Sequence, residues 1–130
     1  MAVVPTAKAL YLCEEVDVEG GLVNLYGLAD FIQPRRYPHT QPSFACFAQL
    51  TGGLGDVRCH IDIRFAETYQ LIHNTNVYPL HFPDRASLRY LSVTVEGCCF
   101  ENPGLHLVEL YCDNTWVADT VLRLQEVQDG

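Results

Sequence analysis

A strictly alternating stretch of hydrophobic and polar residues lies near the middle of the chain. Apolar side chains occupy every second position from Val57 to Phe65, and polar side chains occupy the positions between them. A period of two is typical of a β-strand with one face in a core and the other in water. At about 100° per residue in a helix, the same apolar side chains would surround the whole cylinder. The predicted polar face consists of Arg58, His60, Asp62 and Arg64.

The rest of the chain predicts further short strands separated by turn residues. The segment Lys8–Cys13 is apolar on both faces, which is typical of a central strand covered on each side. Gly20-Gly21 and Asp113-Asn114 predict turns of two hairpins. Trp116, the one tryptophan, is expected to anchor the core near the last hairpin. With the alternating segment, the predicted strands are Lys8–Cys13, Leu22–Ile32, Ser43–Thr51, Asp56–Glu67, Tyr69–His73, Val77–Phe82, Leu88–Phe100, Leu105–Cys112 and Trp116–Val127.

About nine short strands without a convincing helix indicate an all-β protein. We predict a single domain over residues 1–130, built as an antiparallel β-sandwich of the immunoglobulin-like or jelly-roll-like kind. A small β-barrel is the alternative.

A proline-rich loop over Gln33–Pro42 is the one locally basic segment. Prolines cannot donate to a strand ladder, so this segment is predicted to be a loop. Arginine and tyrosine side chains on a stiff loop can engage an acidic partner at a low ordering cost. Arg35, Arg36, Tyr37 and His39 are therefore the candidate partner-binding residues, although the same loop could be an ordinary solvated connection.

The polar face of the central strand is the second candidate site. A histidine next to a carboxylate, as His60 is to Asp62, can act as a general base. An ordinary exposed sheet face that pairs charges with its neighbours has the same composition, and this interpretation is preferred. No motif of a hydrolase, a nucleotide-binding loop or a zinc protease occurs, so we predict no catalytic residue and no enzyme.

The six cysteines are expected to be reduced and mostly buried. Cys98 and Cys99 are adjacent, so they should point to opposite faces of a strand and chelate one ion poorly. We therefore predict no metal and no cofactor, and a redox role for this pair is left open.

The chain is acidic, with a formal net charge of −8. This charge repels phosphate backbones and argues against nucleic-acid binding. No signal peptide and no apolar run long enough for a membrane-spanning helix is recognised. We therefore expect a cytoplasmic protein that binds neither nucleic acid nor membrane.

Two pairs of segments resemble a known family. Residues 9–15 with 21–27, and residues 103–106 with 113–118, are similar to the opening and closing strands of a bacterial family of short, uncharacterised β-sandwich proteins. The resemblance implies a cytoplasmic bacterial protein with no assigned activity, and it supplies no catalytic residue.

These observations favour a non-enzymatic module for protein–protein contact or assembly, including self-association. The alternatives are a small-ligand binder that uses the loop 33–42, or a metal or hydrolytic site at His60, Asp62 or the cysteines.

Overall fold

The computed structural model describes residues 2–126, and their regular structure consists of β-strands alone. Eleven strands form, rather than the predicted nine. The strands are β1 (Thr6–Cys13), β2 (Glu15–Glu19), β3 (Leu22–Tyr26), β4 (Phe31–Ile32), β5 (His39–Thr51), β6 (Gly55–Phe65), β7 (Leu71–Asn74), β8 (Tyr78–Phe82), β9 (Leu88–Phe100), β10 (Gly104–Cys112) and β11 (Thr115–Leu124). Residues 2–126 contain no helix that could cross a membrane.

The strands form three sheets. A large sheet has the order β4-β11-β10-β6-β7, with β8 also paired to β6, and a small sheet has the order β1-β5-β9. The hairpin of β2 and β3 is a separate two-stranded sheet. All pairings are antiparallel except that of β4 with β11, which is parallel. No sheet closes on itself within the described residues, so the barrel alternative is wrong.

The predicted central strand forms as β6, and its alternation is confirmed. Val57, Ile61 and Ile63 are at most 1% exposed and belong to one hydrophobic cluster. That cluster also takes Cys46 and Val93 from the small sheet. Apolar side chains of both sheets therefore share one core, which fixes the opposite side of β6 as an outer face.

The first predicted strand is wrong in its position. β1 lies at the edge of the small sheet rather than at its centre, and Tyr11 on it is exposed. The predicted strand Leu22–Ile32 divides into β3 and β4, because Gly27 lies between them with a positive φ of 66°. A Cβ at Gly27 would lie 2.6 Å from Cγ of Glu14, so the Glu14 side chain occupies the space that any larger residue at this position would need.

Both predicted hairpin turns form. Gly20 and Gly21 have positive φ values between β2 and β3, and Asp113 and Asn114 do so between β10 and β11. Trp116 follows the second turn and is 53% exposed, so its predicted role in the core is wrong. The last predicted strand ends at Leu124, and Val127 lies outside the described residues.

The proline-rich loop is shorter than predicted. β5 begins at His39, so residues 33–38 form the loop. Pro34 is buried there, whereas Arg35 and Arg36 are exposed. The loop is thus held to the domain on one side and open to solvent on the other.

Candidate functional site

The outer face of the large sheet carries a connected group of polar and aromatic side chains, which we call the ionic face. It is formed by β6, β10 and the turn after β6. Its members are His60, Asp62, Arg64, Tyr69, Glu109 and Tyr111.

Strand register brings the ionic face together. β6 and β10 pair antiparallel, with Asp62 opposite Glu109 and His60 opposite Tyr111. β6 alternates in polarity along its length and β10 does so over residues 108–112, and directly paired residues point to the same face. The register that buries the apolar residues of both strands therefore also aligns their polar residues on the outer side.

Glu109 is the centre of the ionic face. Its side chain is 3% exposed, although it lies on the side away from the core. Its Oε1 accepts hydrogen bonds from Nε of Arg64 at 2.8 Å and from the hydroxyl of Tyr111 at 3.2 Å. Its Oε2 accepts one from the hydroxyl of Tyr69 at 2.6 Å. A buried carboxylate needs such partners, since an unpaired one would be costly to desolvate.

Arg64 links the two acidic residues. Besides its bond to Glu109, its Nη2 lies 3.4 Å from Oδ2 of Asp62, which is itself 9% exposed. The polar face of β6 was expected to be exposed to water, and this expectation is wrong for Asp62. The guanidinium also lies 4.6 Å from the ring centre of Tyr69, a cation–π distance. Arg64 is thus fixed on several sides.

Tyr69 closes over this pair from a strained turn. Its backbone φ is 61°, in the left-handed region that a bulky residue rarely adopts. Its N–H donates to the carbonyl of Phe65 at 2.7 Å, which returns the chain over β6. The hydrogen bond to the Glu109 carboxylate raises the pKa of the Tyr69 hydroxyl, because the bond requires the proton. A strained residue held by a polar network is a recognised feature of functional sites.

His60 extends the ionic face toward the Asp113-Asn114 turn. Its ring stacks on Tyr111, with centres 5.2 Å apart and planes at 8°. Its Nε2 lies 3.5 Å from Oδ1 of Asp62. Because Asp62 is shared with Arg64, its charge is already partly compensated. This arrangement orients His60 as part of a fixed surface rather than aiming it at a nucleophile.

An exposed aromatic residue borders the ionic face. Trp116 pairs across the strands with Tyr111, and Asp119 pairs with Glu109. Two bulky apolar side chains of the turn and of β7, Tyr69 and Leu71, are also exposed on this sheet. The combination of a rigid ionic centre and exposed aromatic side chains is typical of a contact surface.

The predicted polar residues come together, whereas the loop residues do not join them. Arg58, His60, Asp62 and Arg64 all lie on the outer side of β6, although Arg58 has no described side-chain contact to the other three. In the loop, the Tyr37 hydroxyl donates to the carbonyl of Gln125 at 2.5 Å.

Tyr37 also packs against the core, so its side chain is held to the sheets rather than projecting from the loop. His39 belongs to β5, where its Nε2 lies 2.8 Å from Oε1 of Gln41. Arg35 and Arg36 remain exposed side chains of the loop.

Sequence reasoning missed Tyr69, Glu109, Tyr111 and the exposure of Trp116. A signal for two of them was present, since residues 108–112 alternate between apolar and polar side chains, which places Glu109 and Tyr111 on one face. Tyr69 carried no such signal, because its position depends on a turn closed by tertiary contacts.

The cysteines are free, and five of the six are buried. Cys98 and Cys99 point to opposite sides as predicted, with Cys98 buried and Cys99 exposed. Burial raises the pKa of Cys46 and Cys98 to about 12. The Sγ atoms of Cys59 and Cys112 lie 3.2 Å apart in the core.

Within residues 2–126, no group of three or more His, Cys, Asp or Glu side chains is arranged to hold a metal ion.

Comparisons with known proteins identify a family and include a distant structural similarity. A model described as a family of unknown function (DUF6941) matches residues 8–125. No curated protein matches the chain. The chain is similar to the alkylpurine DNA glycosylase AlkC of Pseudomonas fluorescens, solved bound to DNA containing an abasic site analog, with a TM-score of 0.52 and 8% identity. The match covers 90% of this chain and 30% of the glycosylase chain, and at this identity it shows the fold alone.

Proposed function

Because the chain belongs to the DUF6941 family, whose function is unknown, we propose a function from its own surface: a non-enzymatic module that binds a protein partner through the ionic face. The uncharacterised family expected from the sequence is thereby confirmed. One observation carries the proposal. Glu109 and Arg64 form a fixed ion pair on the outer face, where Tyr111 pairs across the strands with the exposed Trp116.

The chemistry of the ionic face supports binding to a protein. Tryptophan, tyrosine and arginine are the residues that most often dominate the energy of protein interfaces. Arg64 and Tyr69 are held in place before any partner arrives, so little side-chain entropy would be lost on binding. The ionic groups of Arg64, Asp62 and Glu109 satisfy one another, which favours a contact role over a general-base role.

The proposed partner is a protein and not a nucleic acid. The chain carries a net charge of −8, and the ionic face itself holds the carboxylates of Asp62 and Glu109. Both features oppose a phosphate backbone. A second copy of the chain is one candidate partner, and a cytoplasmic location and a bacterial source belong to the same proposal.

We also propose that the finer fold is an immunoglobulin-like sandwich. The order β1-β5-β9 and the order β11-β10-β6-β7 correspond to the strands A, B, E and G, F, C, C′ of that fold. In this assignment β4 pairs with the last strand, and the β2–β3 hairpin is an insertion.

Trp116 provides a direct test, because it is the one tryptophan and its fluorescence reports on this surface. An extract of the source organism is passed over the immobilised full chain and over two immobilised variants, and the proteins that each retains are compared. Trp116→Ala should lose them, whereas Tyr26→Ala, at an aromatic residue of the two-stranded sheet with similar exposure, should keep them. Adding a purified partner should shift the Trp116 emission to shorter wavelength.

Equal retention by both variants would contradict the proposal, as would an unchanged emission spectrum. Light scattering over a range of concentrations distinguishes the two kinds of partner. If the wild-type chain forms a dimer and Trp116→Ala dissociates it, the partner is a second copy of the chain. If the chain is a monomer at all concentrations, the partner is a different protein.

A further inference from the structure

A cleft lies on the side of the domain where an edge of the small sheet approaches an edge of the large sheet. β1 forms one wall and β11 the other, and residues 28–31 lie between them at one end. The cleft has a volume of about 330 Å³. Its apolar lining consists mainly of Leu10, Tyr11, Leu12, Leu28, Phe31 and Val121.

The edge of β1 carries backbone groups without a partner among residues 2–126. The carbonyl of Leu12 accepts a hydrogen bond from the N–H of Ala29 at 3.1 Å, on the side away from β5. The N–H of Glu14 points to the same side, where the carbonyl of Tyr26 accepts it at 2.9 Å. Because backbone direction alternates along a strand, the N–H and C=O of Leu10 also point to this side. They open into the cleft.

The edge of β11 has the same property. The N–H of Arg123 donates to the carbonyl of Asp30 at 2.8 Å, and that of Gln125 donates to the carbonyl of Ile32 at 2.9 Å. These bonds lie on the side of β11 away from β10. By the same alternation, the backbone groups of Val121 and Asp119 point to that side. β4 pairs with β11 at Arg123 and Leu124 and does not reach them.

Three features therefore meet in this cleft: open backbone edges on both walls, an apolar lining and the acidic side chain of Asp30. Leu28, Phe31, Tyr11 and Val121 are exposed although they are large and apolar. Unpaired edges of this kind accept an added strand, in which the backbone supplies hydrogen bonds and alternate side chains fill the pocket. Asp30 in the lining adds negative charge.

We propose that this cleft binds an extended segment of a partner protein, which adds as a β-strand to the edge of β11. The segment has apolar side chains at alternate positions and a lysine or arginine near the end that meets Asp30. This site is separate from the ionic face, and it shares none of its residues.

The first test measures the edge directly by amide hydrogen exchange in the free, monomeric full chain. The amides of Leu10, Asp119 and Val121 should exchange rapidly. The amide of Leu122, which points to β10 in the paired strand, should be protected. Strong protection of Leu10 and Val121 in the monomer would overturn the proposal, because the edge would already be satisfied.

The second test uses a display library of short random peptides as the probe. Selected peptides should show alternating apolar residues with a basic residue at one end, and they should protect the amides of Asp119 and Val121. Val121→Pro removes the outward N–H at an edge position where proline is tolerated, and it should weaken binding by about tenfold or more. Val121→Thr keeps the N–H and should bind within about threefold of wild type, because it still forms the backbone bond.

Two results would reject the proposed occupant. Peptides that bind Val121→Pro and Val121→Thr equally would exclude strand addition at β11. A dimer detected by light scattering, dissociated by Val121→Pro, would show that a second copy fills the cleft. If Val121→Pro does not fold, amide hydrogen exchange of the wild-type chain with and without peptide tests the site instead. The absence of peptide-induced protection at Asp119 and Val121 would reject it.

Discussion

The hydroxyl oxygen of Tyr69 lies 2.6 Å from Oε2 of Glu109, although 40 residues separate them in the chain. This bond joins a strained turn to the middle of β10. It completes the set of donors around a carboxylate that the sheet alone would leave partly unpaired. The shape of the ionic face therefore depends on the Glu109 carboxylate.

Replacing this carboxylate should destabilise the domain. Glu109→Gln keeps the size of the side chain but loses the charge that pairs with Arg64 and leaves part of the donor set unmatched. We expect a loss of about 1–3 kcal/mol in the free energy of unfolding. Urea unfolding measures it, with Glu101→Gln at an exposed site as the control that should change little. Equal stability of both variants would show that the network contributes nothing.

The same bond predicts a dependence on alkaline pH. The pKa of Tyr69 is raised in the folded protein, mainly by its bond to Glu109, above an unfolded value of 10.0. The stability from this bond is therefore complete below pH 10 and is lost as pH rises toward the folded pKa. Burial also raises the pKa of Tyr37, so ultraviolet titration should show Tyr37 and Tyr69 ionising later than the other tyrosines, with Tyr69 in the latest step. Tyr69→Phe should remove that late step, and its persistence would assign the step to another residue.

The part of the fold that could be predicted from the sequence is the part that depends on the local alternation of apolar and polar residues. The alternation of Val57 to Phe65 determines which side of β6 is buried whatever strands surround it, so the sequence was sufficient there. The position of β1 was not predictable in the same way. Its apolar residues are equally compatible with a central strand and with an edge strand beside an apolar cleft.

The candidate site was predictable on one strand and not across strands. Arg64 and Asp62 were recognisable as neighbours on β6, whereas Glu109 became relevant through the register of β10. The misplacement of Trp116 has a similar cause. A large aromatic residue favours burial on average, but the register shift near Leu110 and Tyr111 places this one on the outer side.

His106 should make the domain sensitive to mild acid. Its ring is buried between Phe65 and Phe100, and burial lowers its pKa. A lowered folded pKa means that stability present above the unfolded value of 6.5 is lost as pH falls through the folded pKa. Between neutral and mildly acidic pH we expect a slope of up to about 1.4 kcal/mol per pH unit from this group.

Thermal unfolding as a function of pH checks the effect of His106. His106→Gln should lower the stability at pH 7 yet flatten the slope below it. If the slope survives in His106→Gln, a different group titrates in this range.

Cys99 should be the one fast-reacting thiol of the native protein. It is exposed, while the other five thiols are buried. Burial raises the pKa of Cys46 and Cys98 to about 12, which keeps them protonated near neutral pH. A thiol reagent should label one site before denaturation and six after it. Rapid labelling that persists in Cys99→Ser would show that a buried thiol becomes accessible.

Gly27 should tolerate no side chain, for two separable reasons. Its φ of 66° disfavours any residue with a Cβ, and that Cβ would lie 2.6 Å from Cγ of Glu14. We expect Gly27→Ala to lower the free energy of unfolding by about 1 kcal/mol or more, because an alanine does not fit a backbone of this conformation.

Shortening the neighbouring side chain separates the two causes. In Glu14→Ala/Gly27→Ala the contact with Glu14 disappears, whereas the backbone strain remains. Part of the stability lost through Gly27→Ala in the wild type should therefore be recovered when the same change is made in the Glu14→Ala background, as measured by urea unfolding. Full recovery would mean that the contact is the whole cause, and no recovery would mean that the conformation of Gly27 is. If Gly27→Ala were as stable as the wild type, the close approach of Gly27 to Glu14 would be contradicted.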